Sequence, residues 1–342
     1  MIHDRQRLKE LQALPLERKI MISQARIIEW YNHYKGQVYV SFSGGKDSTV
    51  LLDIARKCFP DIEAVFVNTG LEYPEIQQFV KNFDNVTILR PKMRFDEVIK
   101  KYGYPLISKN VSHNVKIARN KPNGSVAKTI FDPQKTGKYA LYRYNDLRYT
   151  DFEICDKCCD IMKKNPAKKY QKETSRVPIL ATMTCESVMR QDAWLKNGCN
   201  AFEIKNPHSA PMSFWTEQDV LQYIKKYNIP IASVYGDVVY ETEPKQIRFE
   251  EVGIDTQEKE KLITTGCKRT GCIFCAFGCH LEKQPNRFQM LKETHPRQYE
   301  YCIKGGEFNE QGIWQPNKDG LGMGYVFDEL NKIYGDDFIR YK

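Results

Sequence analysis

Six residues, Ser43-Gly44-Gly45-Lys46-Asp47-Ser48, join an apolar β-type run, Val38-Tyr39-Val40-Ser41-Phe42, to a helical stretch, Thr49-Val50-Leu51-Leu52-Asp53-Ile54-Ala55-Arg56. A strand that turns through two glycines straight into a helix constrains this chain more than any other feature. The glycines permit tight turning and close approach of backbone to ligand. The first amides of the helix have no intrahelical partner, and the helix dipole favours negative charge beside them. Such a junction is an anion site. Ser41, Ser43, Ser48 and Thr49 add hydroxyls, and Lys46 adds a mobile cation for terminal phosphates. The spacing is not the Gly-x4-Gly-Lys-Ser/Thr of the Walker loop.

The surrounding chain keeps an alternating rhythm. Ala64–Val67, Val86–Leu89 and Val177–Ala181 read as further buried strands, and Pro74–Phe83, Phe95–Tyr102, Glu186–Lys196 and Trp215–Tyr227 as helices. Strands alternating with helices predict an α/β fold, an open parallel sheet with helices on both faces. A helical segment over 4–35 precedes it, with Gly36 as its stop. Residues 105–150 break the rhythm with lysines, arginines and tyrosines and read as a basic insertion. Residues 241–262 read as a charged, exposed connection. The expected organisation is an N-terminal helical segment over 1–35, a nucleotide-binding domain over 36–235 and a cysteine-rich region over 236–342.

Composition narrows the class. No apolar run approaches the roughly 20 residues of a membrane span, and the polar N-terminus lacks a signal-peptide core. A cytoplasmic enzyme with no membrane partner is expected. Lysine plus arginine exceed aspartate plus glutamate by 52 to 43, an excess that favours anionic partners. The 11 cysteines are odd in number and sit in a long chain, so clusters among them read as metal ligands rather than disulfides. Cys155, Cys158 and Cys159 form one cluster; Cys267, Cys272, Cys275 and Cys279 form another. Thiolates so spaced suit zinc or an iron–sulfur cluster. Cys58, Cys185 and Cys199 read as ordinary buried thiols, and His280 as a weak ligand candidate.

The loop Ser43–Ser48 resembles the PP-loop of ATP pyrophosphatases, which cleave ATP between the α- and β-phosphates. Val67-Asn68-Thr69-Gly70-Leu71-Glu72-Tyr73-Pro74 is similar to that superfamily's second motif, with Asn68 in place of its aspartate. Cys185-Glu186-Ser187-Val188-Met189-Arg190 and Pro211-Met212-Ser213-Phe214-Trp215-Thr216-Glu217-Gln218-Asp219-Val220 resemble segments of the phosphoadenosine phosphosulfate (PAPS) reductase family. The resemblance covers roughly residues 36–280. It implies an adenine nucleotide α-hydrolase-like, Rossmann-like sheet, with Ser41, Ser43–Thr49, Asn68, Thr69, Gly70 and Arg190 about the nucleotide. It assigns catalysis to Lys46, Asp47, Glu186 and Arg190. It also implies a [4Fe–4S] cluster on Cys158, Cys159, Cys272 and Cys275, with zinc as the alternative metal and Cys155, Cys267 and Cys279 as alternate ligands.

Three departures separate this chain from reductases of adenylyl sulfates. The loop keeps the Gly-Gly-Lys-Asp core suited to ATP. Met183 stands where those reductases have an arginine, and no Glu-Cys-Gly-type segment follows Cys302. The expected activity is therefore ATP- and Mg²⁺-dependent sulfur transfer: adenylation of an acceptor, then its thiolation. The expected partners are an adenine nucleotide, a nucleic-acid acceptor (DNA or tRNA) and a sulfur-donor protein. The alternatives are a reductase of adenylyl sulfate or PAPS using an external thiol, and a non-catalytic nucleotide sensor with a structural metal.

Overall fold

The computed structural model describes residues 4–135, 137, 140–241 and 261–342. Most of the stretch 241–262, together with Thr136, Lys138 and Tyr139 of the basic insertion, lies outside the described residues. Two compact units emerge, each assembled from three segments. One holds residues 1–67, 73–89 and 169–270; the other holds 68–72, 90–168 and 271–342. No described helix is long and apolar enough to cross a membrane.

The first unit carries the parallel sheet. Its strands run in the order Val86–Leu89, Ala64–Val67, Val38–Ser41, Val177–Ile179, His208–Ser209, Asn200–Ala201. Every neighbouring pair is parallel except the last. Val38, Tyr39 and Val40 are all buried, as a central parallel strand covered on both faces requires. From Val38–Ser41 the chain builds two strands to one side, then crosses to the other. That reversal of strand order leaves a crevice at the carboxyl ends, where open α/β sheets bind ligands. The loop at 43–48 follows from it.

The N-terminal helical segment is two helices, Arg5–Ala13 and Leu16–His33. Pro15 divides them, because the residue before a proline is driven out of the helical region; Leu14 is extended. The second helix is anchored by charge. Lys19 is 2% exposed, and its ammonium meets Asp219 Oδ2 at 2.6 Å. The same carboxylate oxygen accepts from the backbone N–H of Thr216 at 2.7 Å, capping the helix Glu217–Tyr227. Trp215, fully buried, donates through Nε1 to Ser23 Oγ at 2.9 Å. The Trp-Thr-x-x-Asp string is thus a joint that fixes where Glu217 begins its helix.

The second unit departs from the expected insertion. Residues 105–150 do not form one surface excursion: they contain a strand, Leu106–Ile107, two helices, Lys109–Asn120 and Ser125–Thr129, and a 3-10 segment, Tyr142–Arg148. Val111, Val115 and Ala118 recur at helical spacing and are buried, a pattern obscured by the polar Asn110, His113, Asn114 and Lys116 around them. Leu106–Ile107 pairs in parallel with Ala276–Phe277, while Tyr104 bridges Ile154 and its carbonyl accepts from Cys155 N–H at 3.0 Å. One short strand therefore has the segment leading to Cys158 on one side and the segment following Cys275 on the other.

Candidate nucleotide site and thiol cluster

In the loop, Gly44 adopts φ +70°, and a Cβ there would lie 2.8 Å from methyl carbons of both Ile76 and Val80. Only glycine fits the turn. Ser48 Oγ accepts from the Ser43 N–H at 3.1 Å and lies 3.0 Å from Ser43 Oγ. Ser48 and Thr49 hydroxyls both reach the Gly45 carbonyl, at 2.9 and 3.0 Å. These two serve to shape the turn, and both are nearly fully buried.

Lys46 is 3% exposed. Its ammonium donates to the Lys268 carbonyl at 3.0 Å and pairs with Glu217 Oε1 at 3.3 Å and Asp47 Oδ1 at 3.8 Å. Its backbone N–H donates to the Tyr235 hydroxyl at 3.3 Å. Burial foremost, against the pull of Lys46 and with the help of Glu217, raises the Asp47 carboxyl above its ordinary value. Arg190 pairs with Glu186, whose Oε2 also accepts from Met183 N–H at 3.0 Å. Burial, then the neighbouring Arg269 charge, lowers the Arg190 guanidinium, while Asp47 pulls the other way. Lys46, Asp47, Glu186 and Arg190 thus all belong to the first unit, and Asp47 lies in the electrostatic reach of both basic side chains.

Asn68, Thr69 and Gly70 belong to the second unit. Asn68 Oδ1 accepts from Gly70 N–H at 3.0 Å, and Thr69 donates to Glu72 Oε1 at 2.7 Å; their polar groups hold a turn. Met183 is buried and brings no charge. Sequence reasoning missed Tyr235, Lys268, Arg269 and Thr270. Arg269 and Thr270 stand between two cysteines in the sequence, where attention to metal ligands hid them.

The thiols of the second unit form their own neighbourhood. Cys158 and Cys159 Sγ lie 4.0 Å apart. Hydrogen bonding from Cys158, with Lys109 and Lys163 nearby, lowers Cys159; the same bond and burial raise Cys158, whose surroundings include Cys275 and Cys272. Burial pushes Cys272 up to about 11 against the pull of Lys163. Burial opposes the charge of Lys163, but Cys272, Glu72 and Cys159 outweigh it and its pKa rises. Cys158 thus lies within electrostatic reach of Cys272 and Cys275, and Cys275 within reach of Cys159, with Lys109 and Lys163 beside them. Among the described residues, no three His, Cys, Asp or Glu side chains are spaced to hold a metal ion.

Of the other cysteines, Cys279 lies within electrostatic reach of Cys275, with Arg287 beside both. Cys155 is buried and accepts from the Lys157 N–H at 3.1 Å. Cys279 is buried, and Cys267 belongs to the first unit, beside Tyr73. Cys185, expected as a buried thiol, is exposed, and Cys58 and Cys199 are half-buried. Cys185 is the middle residue of a tight 3-10 turn, Thr184–Glu186, whose first residue Thr184 is buried while Cys185 faces outward. His280 stacks on Phe338 with ring centroids 5.0 Å apart.

Comparison with known proteins adds a family. The model of the phosphoadenosine phosphosulfate reductase domain matches residues 37–110 and 117–277. An uncharacterized protein of Methanocaldococcus jannaschii is 24% identical over 294 residues, covering 82% of this chain and 50% of that protein. The chain thus spans about half the length of that relative. An adenosine 5'-phosphosulfate reductase of Staphylococcus haemolyticus is 24% identical over 215 residues, 61% of this chain and 70% of that one. A solved phosphoadenylyl-sulfate reductase of Candida auris, in a phosphate complex, overlaps with a TM-score of 0.37 at 15% identity, over 68% of this chain and 90% of that one.

Proposed function

The chain belongs to the phosphoadenosine phosphosulfate reductase domain family, and from that premise we propose an ATP-dependent sulfur-transfer enzyme. The observation that carries the reading is the loop lysine. Lys46 is buried beside Glu217 and the Lys268 carbonyl, with its ammonium at the start of the loop helix. A cation held there suits a ligand with β- and γ-phosphates, which ATP has and adenylyl sulfate lacks.

An oxygen of the acceptor attacks the α-phosphorus of ATP, and pyrophosphate leaves, carrying the negative charge that Lys46 and the loop amides stabilise. A sulfide-level nucleophile, hydrosulfide released by a donor protein, then forms the new bond to sulfur as the bond to the adenylated oxygen breaks, AMP leaving with that oxygen and the hydrosulfide proton passing to solvent. Arg190, paired with Glu186, would hold a phosphate oxygen. Mg²⁺ accompanies the nucleotide.

Four soft thiols beside Lys163 make a donor set whose chemistry fits a [4Fe–4S] cluster. Cys158, Cys159, Cys272 and Cys275 would hold it; bound there, it supplies redox-active iron and sulfide. Zinc is the alternative for the same residues. The acceptor we infer is a nucleic acid, DNA or tRNA. Tyr142 and Tyr149 are 50% and 72% exposed, Arg148 lies over the Tyr149 ring at 5.4 Å, Arg143 follows Tyr142 and Lys135 is exposed earlier in the same stretch, a combination that suits stacking on bases and pairing with phosphates. Affinity for single-stranded DNA or tRNA should fall steeply with salt and drop further in Lys135→Glu and Arg143→Glu. Variants that bind like the parent would favour a small-molecule acceptor.

A second reading, reduction of a sulfonucleotide, draws on the adenosine 5'-phosphosulfate reductases among the relatives. Against it, Cys302 is fully buried with its thiol on Met323, which does not suit a nucleophile. Titration of ATP, adenosine 5'-phosphosulfate and PAPS into parent and Lys46→Ala decides between the two. Tighter binding of either sulfonucleotide than of ATP, unaltered by the substitution, establishes the reductase.

A further inference from the structure

The turn between the strand Leu262–Thr264 and Cys272 is bound tightly to one neighbour. Thr265 N–H donates to the Asp237 carbonyl at 3.0 Å, Gly266 N–H to the Tyr235 carbonyl at 2.8 Å and Cys267 N–H to the Val234 carbonyl at 2.9 Å. A Cβ on Gly266 would lie 2.4 Å from the Val234 oxygen, so only glycine permits this approach. The Asp237 N–H returns a bond to Thr265 Oγ1 at 2.9 Å.

Zipping these backbones together delivers three consecutive residues to the phosphate loop. The Lys268 carbonyl lies on the Lys46 ammonium at 3.0 Å. Thr270 Oγ1 lies 2.5 Å from the Tyr235 hydroxyl, and that hydroxyl accepts the Lys46 backbone N–H. A phosphate oxygen takes that position at a helix N-terminus. Arg269 is held between the two contacts. Its side chain is exposed and forms no hydrogen bond or ion pair with the described residues, yet Asp47, Arg190 and Cys185 all feel its charge. By contrast Lys46 has Glu217 and Asp47, and Arg190 has Glu186.

We propose that Arg269, with the hydroxyls of Tyr235 and Thr270, forms a second wall of the phosphate site and grips the pyrophosphate end of ATP. The proposal rests on the ATP reading given above and deepens it. Arg269 is an uncommitted cation beside the loop, and its planar fork, which the neighbouring Lys268 lacks, can take two phosphate oxygens at once. Its neighbour Lys268 touches the ammonium that meets the β- and γ-phosphates, which sets the end of the nucleotide it serves. The Tyr235 hydroxyl accepts from Lys46 now; beside a phosphate oxygen it turns donor, and Lys46 N–H passes to the phosphate. Because Arg269 projects into solvent, its removal leaves no hole in the core.

Calorimetry on the full chain tests this with ATP, inorganic pyrophosphate and AMP as probes. Arg269→Ala should raise the Kd of ATP and of pyrophosphate about 10- to 100-fold and leave AMP within about threefold. Arg269→Lys should recover only part of the loss, since charge returns without the fork. Tyr235→Phe should show a weaker loss in the same two probes, with an unchanged melting temperature confirming that the buried ring still packs. Parent-like binding of ATP and pyrophosphate by Arg269→Ala overturns the inference alone, as does an equal loss of AMP. A parent chain that binds adenosine 5'-phosphosulfate but neither ATP nor pyrophosphate overturns both the inference and the ATP reading.

Discussion

The phosphate loop and the thiol cluster are both made of short motifs, but they are assembled in opposite ways. The loop is local. Ser43, Gly45, Ser48 and Thr49 bond among themselves within seven residues of sequence, and the helix that follows supplies its own amides. The cluster is non-local. Cys158 and Cys159 come from one segment and Cys272 and Cys275 from another more than a hundred residues on, brought near by the strand at Tyr104–Ile107. A local site keeps its form when a remote contact fails; a non-local one depends on every segment that frames it.

The sharpest break of this contrast is Cys272→Ser. It should remove bound iron and acid-labile sulfide entirely from anaerobically purified protein, while ATP affinity in calorimetry stays within about twofold. Iron retained in full, or zinc found alone in the parent, would end the iron–sulfur assignment. A parallel loss of ATP binding would show that the two regions are not independent.

Next in size is the buried pair that supports the loop from behind. Asp219→Ala leaves Lys19 charged and buried without its partner, which costs about 3–5 kcal/mol. It also uncaps the helix that presents Glu217 to Lys46. Urea unfolding should show the loss, and the iron content of protein that remains folded should match the parent. A loss below about 1 kcal/mol would mean that the helix cap and the Trp215–Ser23 bond suffice.

Lys46→Ala acts inside the loop. ATP affinity should fall about 100-fold, the scale of losing charge-assisted hydrogen bonds to phosphate, and binding of AMP should change little. Unchanged ATP affinity would remove the central support for the ATP reading.

The smallest effect has a pH signature. The folded chain raises the Asp47 carboxyl, chiefly by burial, so ionised Asp47 opposes folding. That penalty is absent below the unfolded value of about 3.9. It grows as pH rises through the higher folded value and is constant above it. Asp47→Asn should therefore be slightly more stable than the parent at pH 7, by less than about 1 kcal/mol, and the gap should close toward pH 4. Turnover of ATP should fall in the same variant. A gap that widens in acid would reverse the sign assigned here.

Legibility followed the same division. The sheet strands were readable because Val38–Val40, Ala64–Phe66 and Ile179 are buried by nearest-neighbour strands and carry that burial as unbroken apolar runs. The helix Lys109–Asn120 was not, because its buried Val111, Val115 and Ala118 are diluted by lysines and asparagines that mask the period. Pro15 marked a helix boundary that the longer run of leucines and isoleucines overrode. Cys185 read as a buried thiol because cysteine is among the most buried residue types; the turn that exposes it comes from packing at Thr184 and Trp215.

The amino-acid sequence by itself determined the alternation of strand and helix, the glycine turn and the lysine that stands in it, because each depends on residues within one or two turns of chain. It also named four candidate ligand cysteines, through the resemblance rather than through spacing. The tertiary structure alone decided which unit each motif joins and which acids partner Lys46 and Arg190. It also decided that Tyr235, Arg269 and Thr270 reach the phosphate loop from about 190 to 220 residues away in the chain. No local pattern encodes such an approach, since it is set by backbone hydrogen bonds between two turns and by a glycine that lets them touch.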